Sequence, residues 1–259
     1  MSGKRSRLIR LAWLVVALAA LALCLCLFLL AGCNKAEAPP ATPVPTSLGG
    51  TATAEPAISV DSPESGDTVS VPIKVKGTAS VFEATLLVAV RDARGNTLCQ
   101  VVATASEGAP GRGDYEVEIA FPPPAEAMEG SIDAFAESPK DGSVEDLVSV
   151  PVTIAAEQPP IVITSPQCDQ EVGSPLLVEG TASVFEAALV IVVRDSQGEE
   201  LARVPVQASQ AAPERGAFSQ EVTFPLPEGP QRGTIEAFSD SPQDGSVINL
   251  FSVPVILTP

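Results

Sequence analysis

Gly77-Thr78-Ala79-Ser80-Val81-Phe82-Glu83-Ala84 spells GTASVFEA, a stretch that occurs twice in this chain, the second time at residues 180–187. The offset of 103 residues holds for the surrounding sequence as well. Residues 58–154 and 161–257 align without a gap and share 46 identities over 97 positions. A period of this length is that of a domain and is too long for a solenoid repeat. The sequence therefore predicts two copies of one domain.

Each copy has the pattern of short strands separated by turn residues. Apolar residues alternate with polar residues in 71–76 and 115–121, the period expected when one face of a strand is buried. Residues 84–90 form a continuous apolar run, as expected of a central strand that is covered on both faces. Seven strands are predicted in the first copy, at residues 58–61, 71–78, 84–92, 97–104, 114–121, 131–137 and 147–154.

Seven short strands in a domain of this size are typical of an immunoglobulin-like β-sandwich. We therefore predict an all-β fold with two tandem immunoglobulin-like sandwiches. The first domain is expected at residues 58–155 and the second at 161–259. The intervening linker, 156–160, contains two prolines, which leave little slack between the domains.

The amino terminus has the pattern of an exported lipoprotein. Four basic residues precede an uncharged run at residues 11–30, as in a secretory signal peptide. The run ends in Leu30-Ala31-Gly32-Cys33, which resembles the lipobox of bacterial lipoproteins, where the thiol receives a diacylglyceryl group. We predict a signal peptide at residues 1–32 and a lipid, with acyl chains such as palmitate, on Cys33. The alternative is an uncleaved membrane-spanning helix, since twenty apolar residues can cross a bilayer core of roughly 30 Å.

Either interpretation places the rest of the chain outside the cytoplasm. Two or three acyl chains anchor a protein durably, so the expected location is extracytoplasmic and lipid-anchored to the cell membrane. By resemblance to the sorting rules of diderm bacteria, Asn34 permits transfer to the outer membrane if the host has one. Residues 33–57 comprise the lipidated Cys and a disordered tether rich in Pro, Ala and Thr.

Composition bears on which functions are open to the chain. Without residues 1–32, 11 Lys and Arg face 32 Asp and Glu, a net charge near −21, which disfavours nucleic acid as a partner. The chain has no His, which removes the commonest general base and most zinc sites. We therefore predict a protein that is not an enzyme and has no catalytic residues, cofactor or metal.

Two cysteines, Cys99 and Cys168, remain available for pairing outside the cytoplasm. They belong to different repeats, and neither has a counterpart in the other repeat. A bridge would clamp the two domains together, but the sequence does not fix the Cα separation that a disulfide needs. The favoured alternative is two buried free thiols that act as small hydrophobes.

Two pairs of loops are candidate ligand contacts. Phe82-Glu83 and Phe185-Glu186 lie between strands, where an acid fixed beside an aromatic ring could contact a ligand. The favoured alternative is structural: the Phe plugs the end of the sandwich and the Glu accepts hydrogen bonds from loop amides. Asp141 and Asp244 each precede a Gly, which a tight hairpin turn explains fully. Calcium binding is the weaker alternative there, because the spacing of an EF-hand loop is absent.

The motifs together resemble a known family. Ser62-Pro63, GTASVFEA, Arg91-Asp92 with Gly95, Phe135 and the run Ser138–Ser143 recur in the same order in the second repeat. This order is similar to that of the Gmad2 domain, the immunoglobulin-like domain associated with bacterial spore germination proteins. The resemblance spans nearly all of both repeats. It implies an accessory module of the cell envelope, in spore germination or cell-wall processes, with no catalytic residues to carry over.

Three functional hypotheses follow. The leading one is a non-catalytic binding or scaffolding protein that holds an envelope protein or a glycan close to the membrane. The second is a purely structural spacer. The third is a glycan-active enzyme built on two carboxylates, which would require acidic residues from loops of both domains to converge.

Overall fold

A computed structural model of the chain describes residues 55–259. These residues form two β-sandwiches with almost no helix, so the predicted all-β, tandem immunoglobulin-like architecture is confirmed. Among the same residues, no helix reaches the length and apolarity needed to cross a membrane. The predicted signal peptide, the lipid on Cys33 and most of the tether lie outside the described residues.

The first sandwich consists of a five-stranded and a two-stranded sheet. The order in the larger sheet is β1-β7-β6-β3-β4, and β2 pairs with β5 in the smaller one. Isolated bridges from Ile58 to Ala79 and from Ser62 to Lys76 place the segment before β1 alongside β2. The strands are β1 (Thr68–Val69), β2 (Ile73–Ala79), β3 (Thr85–Asp92), β4 (Thr97–Thr104), β5 (Gly113–Ile119), β6 (Met128–Glu137) and β7 (Val144–Ile154).

The second sandwich repeats this topology. Its larger sheet has the order β12-β11-β14-β15-β9, and its smaller sheet has the order β13-β10-β8. The strands are β8 (Ile161–Ser165), β9 (Glu171–Val172), β10 (Leu176–Ala182), β11 (Ala188–Arg194), β12 (Glu200–Gln207), β13 (Gly216–Val222), β14 (Gln231–Asp240) and β15 (Val247–Leu257).

The core follows from the predicted alternation of side chains. β2 buries every second residue, and β10 has the same pattern. β3 is central and buried on both faces: Leu86, Val88 and Val90 face the sandwich core, whereas Leu87 and Ala89 pack with Phe135 in a separate small cluster. The continuous apolar run in β3 therefore reflects a strand that is covered on both sides, as predicted.

Three features of the strands differ from the prediction. Residues 58–61 form an isolated bridge at Ile58 rather than the predicted strand. β7 begins at Val144 rather than at residue 147, because Asp146 takes a positive φ of 53° and introduces a bulge that lets the strand continue. The two-residue strands β1 and β9 pair in parallel with β7 and β15 and were not predicted. Two residues are too few to show a period.

Gly77, the first residue of GTASVFEA, is required by a close approach of the backbone. A Cβ at this position would lie 2.0 Å from the carbonyl oxygen of Ser59. The Tyr115 hydroxyl donates a hydrogen bond of 2.8 Å to that same oxygen. Only Gly lets the segment before β1 pack this closely on β2.

The linker between the sandwiches is held by side chains of the second repeat. The Arg215 guanidinium donates to the carbonyl oxygen of Pro159 at 2.6 Å and to the Thr181 hydroxyl at 3.2 Å. The Ser183 amide donates to the carbonyl oxygen of Pro160 at 2.7 Å. These bonds fix the path of the chain into β8.

The two cysteines are joined, so the favoured expectation of two free thiols is wrong. Cys99 in β4 and Cys168 in the loop before β9 form a disulfide with a Cα–Cα distance of 5.3 Å. Cys99 is buried, and the Gln100 amide donates toward Sγ of Cys168 at 3.4 Å. The pairing depends on how the loop of one repeat meets the edge strand of the other, which the spacing of cysteines in the sequence does not encode.

Candidate functional site

The turn at Phe82–Ala84, before β3, presents an aromatic ring to solvent. Phe82 is 64% exposed and its counterpart Phe185 is 62% exposed. The residues that precede the turns, Val81 and Val184, are buried, as is Ala187 within the second turn. The expectation that each Phe plugs the end of its sandwich is therefore wrong, because a Val fills that place.

The glutamates next to these rings do not serve the loop backbone either. Among residues 55–259, neither the Glu83 nor the Glu186 carboxylate accepts a hydrogen bond. The main-chain carbonyl of Glu83 accepts one from the Thr85 hydroxyl, and that of Glu186 accepts one from the side-chain amide of Gln207. The structural explanation proposed for the Phe-Glu pair thus fails for both residues. Both side chains are left free to contact a ligand.

The backbone of the turn is strained in both repeats. Glu83 has φ 51° and Ala84 has φ 58°, and Glu186 and Ala187 have 53° and 57°. This left-handed region costs a non-glycine residue roughly 1–2 kcal/mol. Such strain often collects at functional sites, where the surrounding structure maintains it. In both repeats, then, an unfavourable backbone conformation holds a Phe outward.

A groove of 370 Å³ lies beside Phe82. Its apolar floor comes from β3 and β4 and includes Leu87 and Val102. Its acidic residues are Glu83, Glu137, Glu145 and Asp146, and Arg232 of the second repeat also lines it. The turn, two strands and the β6–β7 hairpin therefore meet in one concave surface.

An equivalent groove of 520 Å³ lies beside Phe185. Eight of its lining positions match those of the first groove at the 103-residue offset, among them Glu186, Asp240 and Pro242. Among the described residues that line this second groove, none is basic. We refer to the two as the Phe82 groove and the Phe185 groove.

Sequence analysis missed the apolar residues at the start of the last strand of each repeat. Val144 and Leu147 are exposed, and so are Val247 and Leu250 at the equivalent positions. A signal was available, because Leu147 breaks the alternation that Val148, Val150 and Val152 follow, and Leu250 does the same in the second repeat. The bulge at Asp146 and Asn249 is the reason for the break.

The structure places Asp141 and Asp244 in hairpin turns, outside both grooves. Oδ1 of Asp141 accepts hydrogen bonds from the Ser143 hydroxyl at 2.7 Å and from the Ser143 amide at 3.1 Å. These bonds lower the pKa of Asp141, and the same bonds from Ser246 lower the pKa of Asp244. Both carboxylates thus cap their own turns, and Gly142 and Gly245 take the positive φ.

Arg91-Asp92 and its repeat Arg194-Asp195 organise the hairpin after the central strand. Asp92 accepts hydrogen bonds from the side chain and the amide of Asn96, which lower its pKa. Arg91 forms an ion pair with Asp133 at 2.8 Å, and Arg194 forms one with Glu236 at 2.9 Å. These motif residues are occupied within the fold. Among residues 55–259, no group of three or more Cys, Asp and Glu side chains is placed to hold a metal ion.

The motifs and the topology agree with a family match. The model of the Gmad2 family, the immunoglobulin-like domain of bacterial spore germination, matches residues 57–143 and 160–246. The chain belongs to the Gmad2 family. Each matched segment includes the exposed Phe of its repeat and the turn that follows β6 or β14, next to the groove. No curated protein matches the chain.

Solved structures with low similarity also match. They include the BSP domain of a biofilm associated protein, at 15% identity over 76% of this chain and 29% of that one, with a TM-score of 0.25. The fibronectin(III)-like modules of Clostridium thermocellum CbhA match at 16% identity over 78% of this chain and 94% of theirs, with a TM-score of 0.22. The titin domains z1z2 in complex with telethonin match at 15% identity over 78% and 95%, with a TM-score of 0.20. The chain spans less than a third of the first of these proteins.

Proposed function

We propose that this chain is a non-catalytic binding protein of the cell envelope. A lipid on Cys33 holds it at the outer surface of the cell membrane, or at the outer membrane of a diderm host. Its two Gmad2 domains bind an envelope protein or a glycan, in spore germination or a cell-wall process. The anchor and the location rest on the sequence of residues 1–33, and the family supports the cellular context.

One observation carries the binding function. Phe82 and Phe185 are both exposed and both lie beside a groove. Each belongs to the same kind of strained turn in its repeat. An exposed aromatic side chain costs solvation free energy and contributes nothing to the core. A rigid aromatic ring beside an apolar groove is a frequent anchor in protein interfaces. We infer that the two rings serve a partner rather than the fold.

Retention on isolated envelopes tests the binding function. The full chain in detergent is mixed with envelopes from the host at salt above about 0.3 M, which screens non-specific charge contacts. We expect the native chain to be retained and the double variant Phe82→Ser, Phe185→Ser to be lost at least tenfold. Leu177→Ser, an exposed apolar residue on the other sheet, is the matched control and should be retained. Equal retention of all three would refute binding through the grooves.

The anchor is tested separately on Cys33. Mass spectrometry of the protein from cells should find this residue as the amino terminus with acyl chains attached. Cys33→Ala should leave the precursor uncleaved and without lipid. An unmodified Cys33 in protein recovered from the cytosol would refute the anchor.

A structural spacer is the second candidate, favoured by the disulfide and by the bonds from Arg215 to the linker. It predicts that loss of both Phe side chains changes nothing, whereas shortening the chain disturbs the spacing. A carboxylate-based glycan-active enzyme stays the remote alternative. It would require turnover of a cell-wall glycan that is lost in Glu83→Gln or Glu186→Gln.

A further inference from the structure

The Phe82 and Phe185 grooves combine two features that select a partner. One is the apolar lining, which in each groove includes the exposed Phe of the turn. It comprises Phe82, Leu87 and Val102 in the first groove and Phe185, Val190 and Pro205 in the second. These three positions are equivalent at the 103-residue offset, so the two grooves share this part of their lining.

The second feature is the sign of the charge. In the Phe82 groove four acidic side chains face a single basic one, Arg232. In the Phe185 groove Glu186 and Asp240 face no basic residue among those that line it, and Arg203, outside the lining, interacts electrostatically with Asp240. An occupant with negative charge would be repelled by both grooves, and electrostatic complementarity favours a cationic one.

The shape of the grooves narrows the occupant further. Volumes of 370 and 520 Å³ are within the range of ligand sites and admit a few side chains. The floors are apolar, with Leu87 and Val102 in the first groove and Val190 and Pro205 in the second. A simple polycation would leave these floors in contact with water. A ligand that uses both features has a positive charge next to an apolar group.

We propose that each groove binds an extended peptide segment of a partner protein, in which a Lys or Arg stands next to an aromatic or aliphatic residue. The apolar side chain packs on the groove floor against the Phe ring. The cationic group pairs with Glu83 or Glu137 in the first groove and with Glu186 or Asp240 in the second. This inference rests on the proposed binding function and specifies its partner.

The disulfide between Cys99 and Cys168 adds a consequence of geometry. It is a second covalent link between the repeats besides the chain itself, so it restricts how far the two grooves can move relative to each other. A partner with two such segments would bind both grooves, and the second contact would be intramolecular. Such a partner should bind more tightly than either segment alone.

A displayed library of random twelve-residue peptides tests the proposal. The bait is the full chain in nanodiscs of zwitterionic phosphatidylcholine, which do not themselves attract cations. We expect enrichment of peptides that place a Lys or Arg next to an aromatic or aliphatic residue. Enrichment of acidic or uncharged peptides, or no enrichment over the Phe82→Ser, Phe185→Ser variant, would overturn the proposal.

The enriched peptides are then titrated against matched variants. Affinity should fall at least tenfold in Phe82→Ser, Phe185→Ser and also in Glu83→Gln, Glu137→Gln, Glu186→Gln, Asp240→Asn. Leu177→Ser and Leu226→Ser, exposed apolar residues outside both grooves, should stay within twofold of the native chain. Polylysine of equal charge should bind weakly and irrespective of the Phe variants. If polylysine binds as tightly as the peptides, the acidity of the whole chain explains the binding and the proposal fails.

The two experiments fail in distinguishable ways. If retention on envelopes depends on the Phe pair but no cationic peptide is enriched, the partner has another chemistry and the proposed binding function stands. If retention also ignores the Phe pair, the binding function itself is wrong. Thermal unfolding of every variant shows that the substitutions, all at surface positions, leave the fold intact.

Discussion

Glu83 and Glu186 carry part of the backbone strain in the turns that present Phe82 and Phe185. Both are exposed side chains on left-handed backbone, at φ 51° and 53°. A glycine has no penalty for positive φ, although it loses more entropy on folding. The backbone strain therefore points to a role for the Glu side chain or for the Phe ring next to it.

Replacing these glutamates with Gly should stabilise the protein. We expect Glu83→Gly and Glu186→Gly each to raise the free energy of unfolding by about 0.5–1 kcal/mol, measured by urea denaturation. Glu83→Ala is the control, since it removes the carboxylate but keeps the Cβ and hence the strain. If Ala stabilises as much as Gly, the carboxylate rather than the backbone is the source of the cost.

Tyr115 is a second residue whose environment can be measured directly. It is the only Tyr of the chain, it is buried, and its hydroxyl donates to the Ser59 carbonyl. Burial, with a smaller effect from Asp61, raises the pKa of Tyr115 to about 12 from 10.0. The fold thus favours the neutral phenol.

Titration of the phenolate absorbance at 295 nm should show a single transition at pH about 12 in the folded protein and about 10 in denaturant. Because the folded pKa lies above the unfolded one, this contribution to stability is complete below pH 10 and is lost as the pH rises toward 12. A folded-state transition at pH 10 would mean that the ring is accessible to solvent. In that case the packing of residues 58–62 on β2 would be wrong.

At the scale of elements, the Arg-Asp motif of each repeat stabilises a hairpin turn. Asp92 holds the β3–β4 turn through Asn96, and Asp195 holds the β11–β12 turn through the amides of Gln197 and Glu199. Arg91 and Arg194 donate to the carbonyls of Gly95 and Gly198 in the same turns. The Arg-Asp pairs are therefore structural, and the residues proposed to bind a partner lie elsewhere.

Asp92→Asn should destabilise the first repeat in a pH-dependent way. The hydrogen bonds from Asn96 hold the pKa of Asp92 below its ordinary value, so its contribution is present above pH 4 and is lost as the pH falls through the folded pKa. We expect a lower urea midpoint for the variant at pH 7 and a difference between variant and native chain that shrinks as the pH falls below 4. A difference that does not shrink with falling pH would show that the charge is not the cause.

The strands also show how much of the fold could be predicted from the sequence. The alternation of apolar residues predicted six of the main strands of the first repeat to within a few residues, because burial of one face imposes that period. The same reasoning failed at Phe82, where a left-handed turn rather than a strand decides which side chain is buried. It also failed at Leu147, because a bulge changes the face on which the residue lies.

At the scale of the whole molecule, the junction between repeats was beyond sequence analysis. Cys99 and Cys168 are 69 residues apart, and their contact follows from the packing of two domains. The duplication, by contrast, was plain in the sequence and told us that every site should occur twice. The Phe82 and Phe185 grooves satisfy that expectation, whereas the disulfide joins two cysteines that have no counterpart in the other repeat.

Removal of the disulfide should lower the stability of the pair. Closing a loop of this length is worth about 4 kcal/mol in the chain-entropy account, which is an upper estimate when two domains fold separately. We expect Cys99→Ser, Cys168→Ser to unfold at lower urea than the native chain. Reductant should lower the native midpoint to that of the variant and leave the variant unchanged. A reductant effect on the variant would point to a cause other than this bond.

The proposed binding function depends on contact between the two exposed Phe rings and a partner in the cell. A photo-crosslinking amino acid placed in turn at positions 82, 185 and 177 tests this most directly. We predict crosslinks to the same envelope protein from positions 82 and 185 and none from position 177. Crosslinking from 82 and 185 at no more than the level of 177 would contradict the account.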